Sequence, residues 1–383
     1  MKILIATDTY KPSINGVVTS VINLEKGLKN LGHEVKIVTL SQTLYSYARG
    51  DIYYIGSIDI GKIYPDVRMK SAVARKEINK LMNWHPDIIH TQSEFSTFRI
   101  AKKISKKLHI PIVHTYHTKY EDYTHYLTNN INIGKKIATF ITFHISENIK
   151  ALIAPTFKIY TMLKEYGVDC PIEIIPTGIS IKKYKKIIPL SEIKEIKKNL
   201  QIPDNNLILV SISRIGKEKN IAELIYYMKK LEYDNISFVI VGDGPERHNL
   251  ANLVDSLNLE DKIKFTGMVS PTQIPIYYQL ADLFVSASTS ETQGLTYIEA
   301  LASGTPILCK EDECLNNLMI EGLTGYSFKN EKEFNIKLEQ FIDNNNKEEM
   351  SKATKKIADN YNIDTFVKNV EQFYYSYIKK SNN

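Results

Sequence analysis

The segment from Glu291 to Gly304 holds residues whose types and spacing could do chemistry. Its sequence, ETQGLTYIEALASG, places two carboxylates, Glu291 and Glu299, eight residues apart on either side of a glycine. The preceding ADLFVSAS predicts a buried strand, and TYIEALASG predicts a helix with Thr296 as N-cap and Gly304 just past its end. Backbone N–H groups near Gly294 to Thr296 would then face an anion such as a phosphate. The alternative is a capping box, in which Glu299 only satisfies its own helix.

Two cations follow another predicted strand. Arg214 comes directly after LILVSIS, and Lys219 lies five residues later, before a helix that Asn220 can cap. Ligands of open α/β sheets bind beyond the carboxyl ends of the strands, so this position favours anion binding. The alternative is a solvated turn in a lysine-rich chain.

The elements that must position these residues alternate between strand and helix. KILIATD, a helical pattern and EVKIVTLS follow one another in the order of a parallel α/β sheet. We predict a first domain over residues 1–180, a second over 181–362, and a last helix, 363–383, that returns to the first domain. The strand candidates of the second half are LILVSIS, ISFVIVGDG, KIKFTG, ADLFVSAS and TPILC.

Length and composition agree with two globular domains. The chain has 383 residues, of which 43% are hydrophobic and 24% charged. No apolar run approaches the roughly 18 residues that span a bilayer, and the N-terminus does not read as a signal peptide, so we expect a cytoplasmic protein. The three cysteines are too few and too unevenly spaced for a zinc site or a disulfide framework.

The positive charge lies in the first half of the chain. Residues 1–178 hold 23 Lys and Arg against 15 Asp and Glu, whereas the remainder holds 26 against 28. Such a surplus suits an anionic partner, either lipid head groups or nucleic acid, although a solvated surface gives the same pattern. One predicted helix has an uninterrupted basic face opposite an apolar one, formed by Arg99, Lys102, Lys103, Lys106 and Lys107.

The ordered motifs carry a family resemblance over nearly the whole chain. They are TYKPSINGVVTS, HTQSEFS, VHTYHT, IPTGIS, SRIGKEKN, VGDGPE and the paired glutamates. The chain resembles the retaining glycosyltransferases of family 4, whose GT-B fold has two Rossmann-like domains facing each other across a cleft. The segments YEDYTHY and ETQGLTYIEALA more narrowly resemble the bacterial diacylglycerol glycosyltransferases. The resemblance implies transfer of a hexose, glucose before galactose, from a UDP-sugar to 1,2-diacylglycerol.

The resemblance also implies roles on the donor side. Arg214 and Lys219 would contact the diphosphate, which gains negative charge as the glycosidic bond breaks. Glu291 would contact the transferred sugar and Glu299 the ribose hydroxyls, while Gly294, Leu295 and Thr296 would present backbone N–H groups. We expect no cofactor and no metal, because no Asp-x-Asp element ends a strand and the two cations could supply the charge.

The first domain would face the acceptor. Gly16 is predicted in a loop where the absence of a side chain allows close approach of the donor. His117 matches the family histidine that faces the transferred sugar through a hydrogen bond, although a core histidine is the alternative. His90 and Glu94 are further acceptor candidates. A tyrosine cluster would line the acceptor entry and includes Tyr120, Tyr123 and Tyr126.

Two helices are candidates for contact with an anionic membrane at the inner face of the cell membrane. One is the basic helix, and the other is INIGKKIATFITFHI, with Ile137, Phe140, Ile141 and His144 on one stripe beside two lysines. That stripe could equally be core. Two alternatives to the lipid glycosyltransferase remain: a family 4 enzyme with a sugar or lipid-linked acceptor in capsule or cell-wall synthesis, and a nonenzymatic binder of nucleic acid. No nucleic acid is expected as partner of the enzyme.

Overall fold

The computed structural model describes residues 1–13, 15–59, 68–70, 75–119, 121, 130–344 and 346–378. The chain divides into two compact units, one formed by Met1–Gly178 with Ile363–Asn383 and the other by Ile179–Asn362. The boundary thus lies two residues before the predicted one, and the last helix belongs to the first unit. Within the described part of the chain, no helix has both the length and the apolar character to cross a bilayer.

The first unit contains a mostly parallel sheet in the order β10-β9-β8-β7-β1-β2-β4-β3, in which only β3 runs antiparallel to its neighbour. The strands β5 and β6, which lie between β4 and β7 in the sequence, form a separate two-stranded antiparallel sheet. The strands are β1 Lys2–Ala6, β2 Glu34–Leu40, β3 Tyr47–Arg49, β4 Ile52–Ile55, β5 Ser57–Asp59, β6 Arg68–Lys70, β7 Ile88–Thr91, β8 Ile112–Thr115, β9 Ala151–Ala154 and β10 Ile172–Ile174.

Helices cover this sheet, and its strands β1, β7, β8 and β9 are almost entirely buried, as is typical of a parallel sheet covered on both faces. The final helix packs on the first one, and its buried residues Phe366, Val370, Phe373 and Tyr374 join the core around β1. The helices of this unit are α1 Gly16–Asn30, α2 Arg75–Asn83, α3 Ser96–Leu108, α4 Ile131–Ser146, α5 Phe157–Glu165 and α14 Ile363–Ile378.

The second unit contains a fully parallel sheet in the order β13-β12-β11-β14-β15-β16. All five predicted strands are confirmed, and β16 is one that the sequence analysis missed. The strands are β11 Leu207–Ile212, β12 Ile236–Val241, β13 Ile263–Gly267, β14 Leu283–Ser286, β15 Ile307–Lys310 and β16 Gly325–Phe328. The helices are α6 Ile181–Lys185, α7 Leu190–Asn199, α8 Ile221–Lys230, α9 Arg247–Ser256, α10 Ile274–Leu280, α11 Leu295–Ser303, α12 Glu331–Ile342 and α13 Lys347–Ala358.

Both sheets have a point at which the direction of strand progression reverses. In the second unit it lies between β11 and β14, and in the first unit between β1 and β7. Loops that leave neighbouring parallel strands diverge at such a point and leave a crevice at the carboxyl edge, where ligands of open α/β sheets bind. We therefore expect functional side chains among the residues that follow these four strands.

Candidate functional site

The second unit brings together two of the predicted site residues, Lys219 and Glu291, at the β11/β14 edge. Lys219 ends a short 3-10 helix, Lys217–Lys219, after β11, and Glu291 follows β14. Lys219 Nζ donates to Glu291 Oε1 at 2.5 Å, and Ser288 Oγ donates to the same oxygen at 3.0 Å. Both side chains are mostly buried, with 20% and 16% exposure. Residues 72 apart in sequence thus form one charged site.

Arg214 lies on the same turn after β11 and is paired with a neighbouring carboxylate. Its Nη1 lies 3.3 Å from Oε1 of Glu218, whose side chain is only 2% exposed, while that of Arg214 is 30% exposed. The guanidinium is therefore anchored from the protein side and reaches the surface at the carboxyl edge of the sheet. Asn220 occupies the N-cap position of α8, but its side chain donates to Glu223 and makes no capping hydrogen bond.

The helix that follows Glu291 begins two residues earlier than predicted. Gly294 is the N-cap, with φ +73°, and Thr296 lies in the first turn, so the assignment of Thr296 as N-cap was wrong. The physical reason is that glycine adopts the left-handed conformation needed there without steric cost. The first intrahelical hydrogen bond runs from Tyr297 N to Gly294 O at 3.0 Å, so the amides of Leu295 and Thr296 precede it. Gly304 ends the helix as predicted.

Glu299 lies on α11, where its side chain contacts two tyrosines. Its Oε2 accepts from Tyr278 Oη at 3.0 Å, and Tyr184 also donates to the carboxylate. The capping-box alternative is therefore wrong, because this side chain does not return to the start of its own helix. Burial raises the pKa of Glu299 above its usual range, against the two tyrosine hydrogen bonds and the nearby Lys183, which lower it.

The corresponding edge of the first unit holds His117, just after β8. His117 Nε2 lies 2.7 Å from Oε1 of Gln92, which follows β7 and is 2% exposed. Burial, assisted by His114, lowers the pKa of His117 to about 3. The imidazole is therefore neutral near pH 7 and can take part in hydrogen bonding without carrying charge.

His90 lies in the core, and its burial argues against the predicted acceptor role. It is fully buried in β7, with Nδ1 2.6 Å from Tyr374 Oη and Nε2 2.7 Å from Thr115 Oγ1. Both ring nitrogens are thus occupied, and burial lowers the pKa of His90 well below its usual range. Glu94 is also largely buried, with Oε1 3.3 Å from Nε2 of His114. His90 thus belongs to the core, whereas an acceptor role for Glu94 stays a prediction.

Gly16 is the first residue of α1 and not part of the preceding loop. The physical reason is that Asn15 caps the helix, its side chain accepting from Val18 N at 2.9 Å. The residue is exposed at the helix N-terminus. Three of the predicted acceptor-entry residues lie outside the described residues, namely Tyr120, Tyr123 and Tyr126.

The basic and apolar faces of α3 lie as predicted. Ile100 and Ile104 are buried, Lys102 is half-buried and the other basic residues are exposed, namely Arg99, Lys103, Lys106 and Lys107.

On α4 the predicted stripe is divided. Ile141 packs against the core, whereas Phe140 is 72% exposed and His144 is also exposed. Phe143, which is not part of the predicted stripe, is 42% exposed. An open groove of about 720 Å³ runs along this helix, lined by Lys135, Lys136, Thr139, Phe140, Phe143 and Tyr166.

Sequence reasoning passed over two buried polar residues that contact predicted site residues. Gln92 lies in the quoted motif HTQSEFS, directly after an apolar strand, and Glu218 lies in SRIGKEKN between the two cations. A polar residue at the carboxyl end of a central strand was the available signal for Gln92. Among the described residues, no group of three or more His, Cys, Asp and Glu side chains could hold a metal ion. The expectation that no metal takes part stays a prediction.

Comparison with known proteins identifies the family. The profile described as Glycosyltransferase Family 4 matches residues 14–183, and that described as Glycosyl transferases group 1 matches residues 192–373. The chain is 37% identical over 329 residues to the alpha-monoglucosyldiacylglycerol synthase of Streptococcus pneumoniae, which covers 85% of this chain and 74% of that protein. The chain belongs to glycosyltransferase family 4. It is a glycosyltransferase, as the ordered motifs predicted.

A second relative and a solved structure extend the comparison. The alpha-monoglucosyldiacylglycerol synthase of Acholeplasma laidlawii is 36% identical over 342 residues, with 86% of each chain covered. The crystal structure of Anabaena Alr3699/HepE in complex with UDP-glucose matches with a TM-score of 0.77 at 17% identity, over 98% of this chain and all of that one. This likeness concerns the fold alone, and it confirms the GT-B class for this family 4 member.

Proposed function

We propose that this enzyme transfers glucose from UDP-glucose to the free hydroxyl of 1,2-diacylglycerol, with retention of the anomeric configuration. Two family members named alpha-monoglucosyldiacylglycerol synthase, each more than one third identical to this chain, support the lipid acceptor and the sugar. The observation that carries the transfer chemistry is the charged site of Lys219 and Glu291 at the β11/β14 edge, with Arg214 on the same turn. The alternative that galactose is the transferred sugar is decided by comparing the two UDP-sugars in the assay described below.

The leaving group sets the main chemical demand of the reaction. Negative charge develops on the diphosphate as the bond to the sugar breaks, and preorganised cations and amide dipoles stabilise it. Arg214, Lys219 and the N-terminal amides of α11 supply that stabilisation in the proposal. Glu291 then holds Lys219 in place and contacts a sugar hydroxyl, while Glu299 contacts the ribose.

The acceptor side needs a hydrogen-bonding group and no strong base. A histidine whose pKa is about 3 is neutral near pH 7 and keeps a single ring N–H, so His117 acts in the proposal by hydrogen bonding to the sugar. The acceptor hydroxyl passes its proton to the departing phosphate oxygen. The base is therefore part of the substrate, and we assign no covalent nucleophile.

The membrane contact is proposed on the first unit, at the inner face of the cell membrane. The exposed apolar face of α4 carries Phe140 and Phe143 next to Lys135 and Lys136, and Phe157 at the start of α5 is 61% exposed. Apolar side chains flanked by lysines suit the interface of an anionic bilayer, where each cation contributes about 1 kcal/mol. The exposed lysines of α3 are also positively charged and would add to the attraction toward an anionic bilayer.

Release of UDP tests the transfer reaction. The protein is incubated with UDP-glucose or UDP-galactose and phospholipid vesicles, with and without diacylglycerol, while UDP is measured. We expect release that requires diacylglycerol and UDP-glucose together. Release that is independent of the lipid would be hydrolysis of the donor and would contradict a diacylglycerol acceptor, and silence with both donors would contradict the proposal.

Co-sedimentation with vesicles tests the membrane contact. Phe140→Ser should weaken binding to vesicles that contain phosphatidylglycerol by about tenfold or more, since burying a phenylalanine contributes about 1.5–3 kcal/mol. Leu190→Ser is the matched control, because Leu190 is 74% exposed, close to Phe140 at 72%, but lies in the second unit. Equal loss of binding in the two variants would contradict the assignment of the contact to α4.

A further inference from the structure

We propose that Glu218 is a positioning residue that fixes the direction of the Arg214 guanidinium toward the donor diphosphate. The inference rests on the proposed function, because it presumes a diphosphate at the β11/β14 edge. Glu218 would not touch the substrate, since its side chain is 2% exposed. It would act through Arg214 alone.

The contact between the two residues is one-sided. Oε1 of Glu218 accepts from Arg214 Nη1 at 3.3 Å, while the buried Oε2 has no hydrogen-bond partner among the described residues. A desolvated carboxylate attracts a cation at hydrogen-bond distance strongly. A guanidinium presents five N–H donors in one plane, so holding it at Nη1 restricts the direction of the others.

The backbone around Glu218 makes its position rigid. The Glu218 carbonyl accepts a hydrogen bond from Ser290 Oγ at 3.2 Å, and Ser288 Oγ lies 3.4 Å from it. Ser288 also donates to Glu291, the partner of Lys219. The turn after β11 and the loop after β14 are therefore joined at Glu218, so its side chain starts from a fixed point.

Gly216 leaves the space that the carboxylate of Glu218 occupies. A Cβ at position 216 would lie 2.3 Å from both carboxylate oxygens. The backbone there has φ −117°, which any residue adopts, so the glycine is required by space and not by conformation. Alanine at this position would be accommodated by moving the carboxylate, and so would separate it from Arg214.

Equilibrium binding of UDP and of uridine tests this role without catalysis. The ratio of the two dissociation constants reports the phosphate contacts, whereas uridine alone reports the intactness of the rest of the site. We expect Glu218→Leu to lower the ratio of the uridine to the UDP dissociation constant by about tenfold and to leave the dissociation constant of uridine unchanged. This effect is smaller than the roughly hundredfold loss of rate that removal of a transition-state hydrogen-bond donor can cause. Glu218→Gln, which still accepts a hydrogen bond, should have a preference for UDP between those of the wild type and Glu218→Leu. Gly216→Ala should resemble Glu218→Leu.

Arg214→Lys supplies the decisive control. In that background Glu218→Leu should cause no further loss, because there is no guanidinium left to direct. The proposal would be overturned if the two substitutions together lowered the preference for UDP by the product of their separate effects. Weaker binding of uridine by the same factor as UDP would also overturn it, because Glu218 would then have a general structural role. Tighter UDP binding by Glu218→Leu would also overturn it, since Glu218 would then only neutralise Arg214. A wild-type protein that does not prefer UDP to uridine would instead contradict the proposed function.

Discussion

Replacing Gly294 by alanine perturbs the start of α11, the helix whose first amides are proposed to face the phosphates. Gly294 has φ +73°, in the left-handed region. A Cβ added there would lie 2.4 Å from Cδ2 of Tyr297, a ring that is 1% exposed and hydrogen-bonded to Ser286 at 3.1 Å. Neither the backbone nor the ring can easily move away.

Two costs add in this variant. The left-handed conformation costs an alanine about 1–2 kcal/mol, and forcing a methyl group against a packed ring costs about 1–3 kcal/mol. We therefore expect Gly294→Ala to lower the free energy of unfolding of the second unit by about 2–5 kcal/mol. Displacement of the helix start should also weaken UDP binding.

Gly322→Ala is the matched control. Gly322 lies in the same unit with φ +75°, and a Cβ there would meet nothing within 4 Å. Gly322→Ala should lower the free energy of unfolding only by the cost of the left-handed conformation, about 1–2 kcal/mol, and should leave UDP binding unchanged. Urea unfolding of the three proteins, with UDP titration of each, measures both effects. Equal destabilisation by the two alanines would refute the predicted clash with Tyr297.

The other expected outcomes concern buried polar groups. Lys219→Met and Glu291→Gln should be coupled by about 1.5–3 kcal/mol in a double-mutant cycle of urea unfolding, because their hydrogen bond joins two mostly buried charges, and additive effects would contradict this. Tyr374→Phe should destabilise the first unit by about 1–3 kcal/mol, since His90 would lose a partner within the core, and an unchanged unfolding midpoint would count against it. The lowered pKa of His117 means that, as the pH falls below 6.5, this histidine is protonated in the unfolded chain but stays neutral in the folded protein. The free energy of unfolding therefore decreases as the pH falls from 6.5 toward 3. Wild type should therefore lose about 1–2 kcal/mol more than His117→Gln between pH 7 and pH 5, and parallel pH profiles would contradict the buried neutral state.

The sequence predicts the strands of the second unit well because their apolar runs are bounded by turn residues. ISFVIVGDG, for example, reads directly as β12 at Ile236–Val241. The strand β16, Gly325–Phe328, has only four residues and no apolar run of its own, so its pairing with β15 decides its structure. Tertiary contact overrides the local pattern there.

Side-chain direction could not be read from the sequence. Thr296 and Glu299 fit a capping box by spacing, but the conformation of Gly294 moves the helix start by two residues, and the tyrosines of α6 and α10 donate hydrogen bonds to the carboxylate. His90 ends a strand as an acceptor residue would, yet it faces Tyr374 from a helix 284 residues away in sequence. Such choices depend on which elements pack together, which spacing alone does not specify.

Identification of the lipid product tests the central proposal most directly. The purified protein is incubated with UDP-glucose and vesicles containing 1,2-diacylglycerol, and the extracted lipid is analysed by mass spectrometry and by the proton coupling of its anomeric centre. We expect a monoglucosyl diacylglycerol with the α configuration, formed together with an equal amount of UDP. A β-linked product would contradict retention, and UDP formation without any glycosylated lipid would contradict the diacylglycerol acceptor.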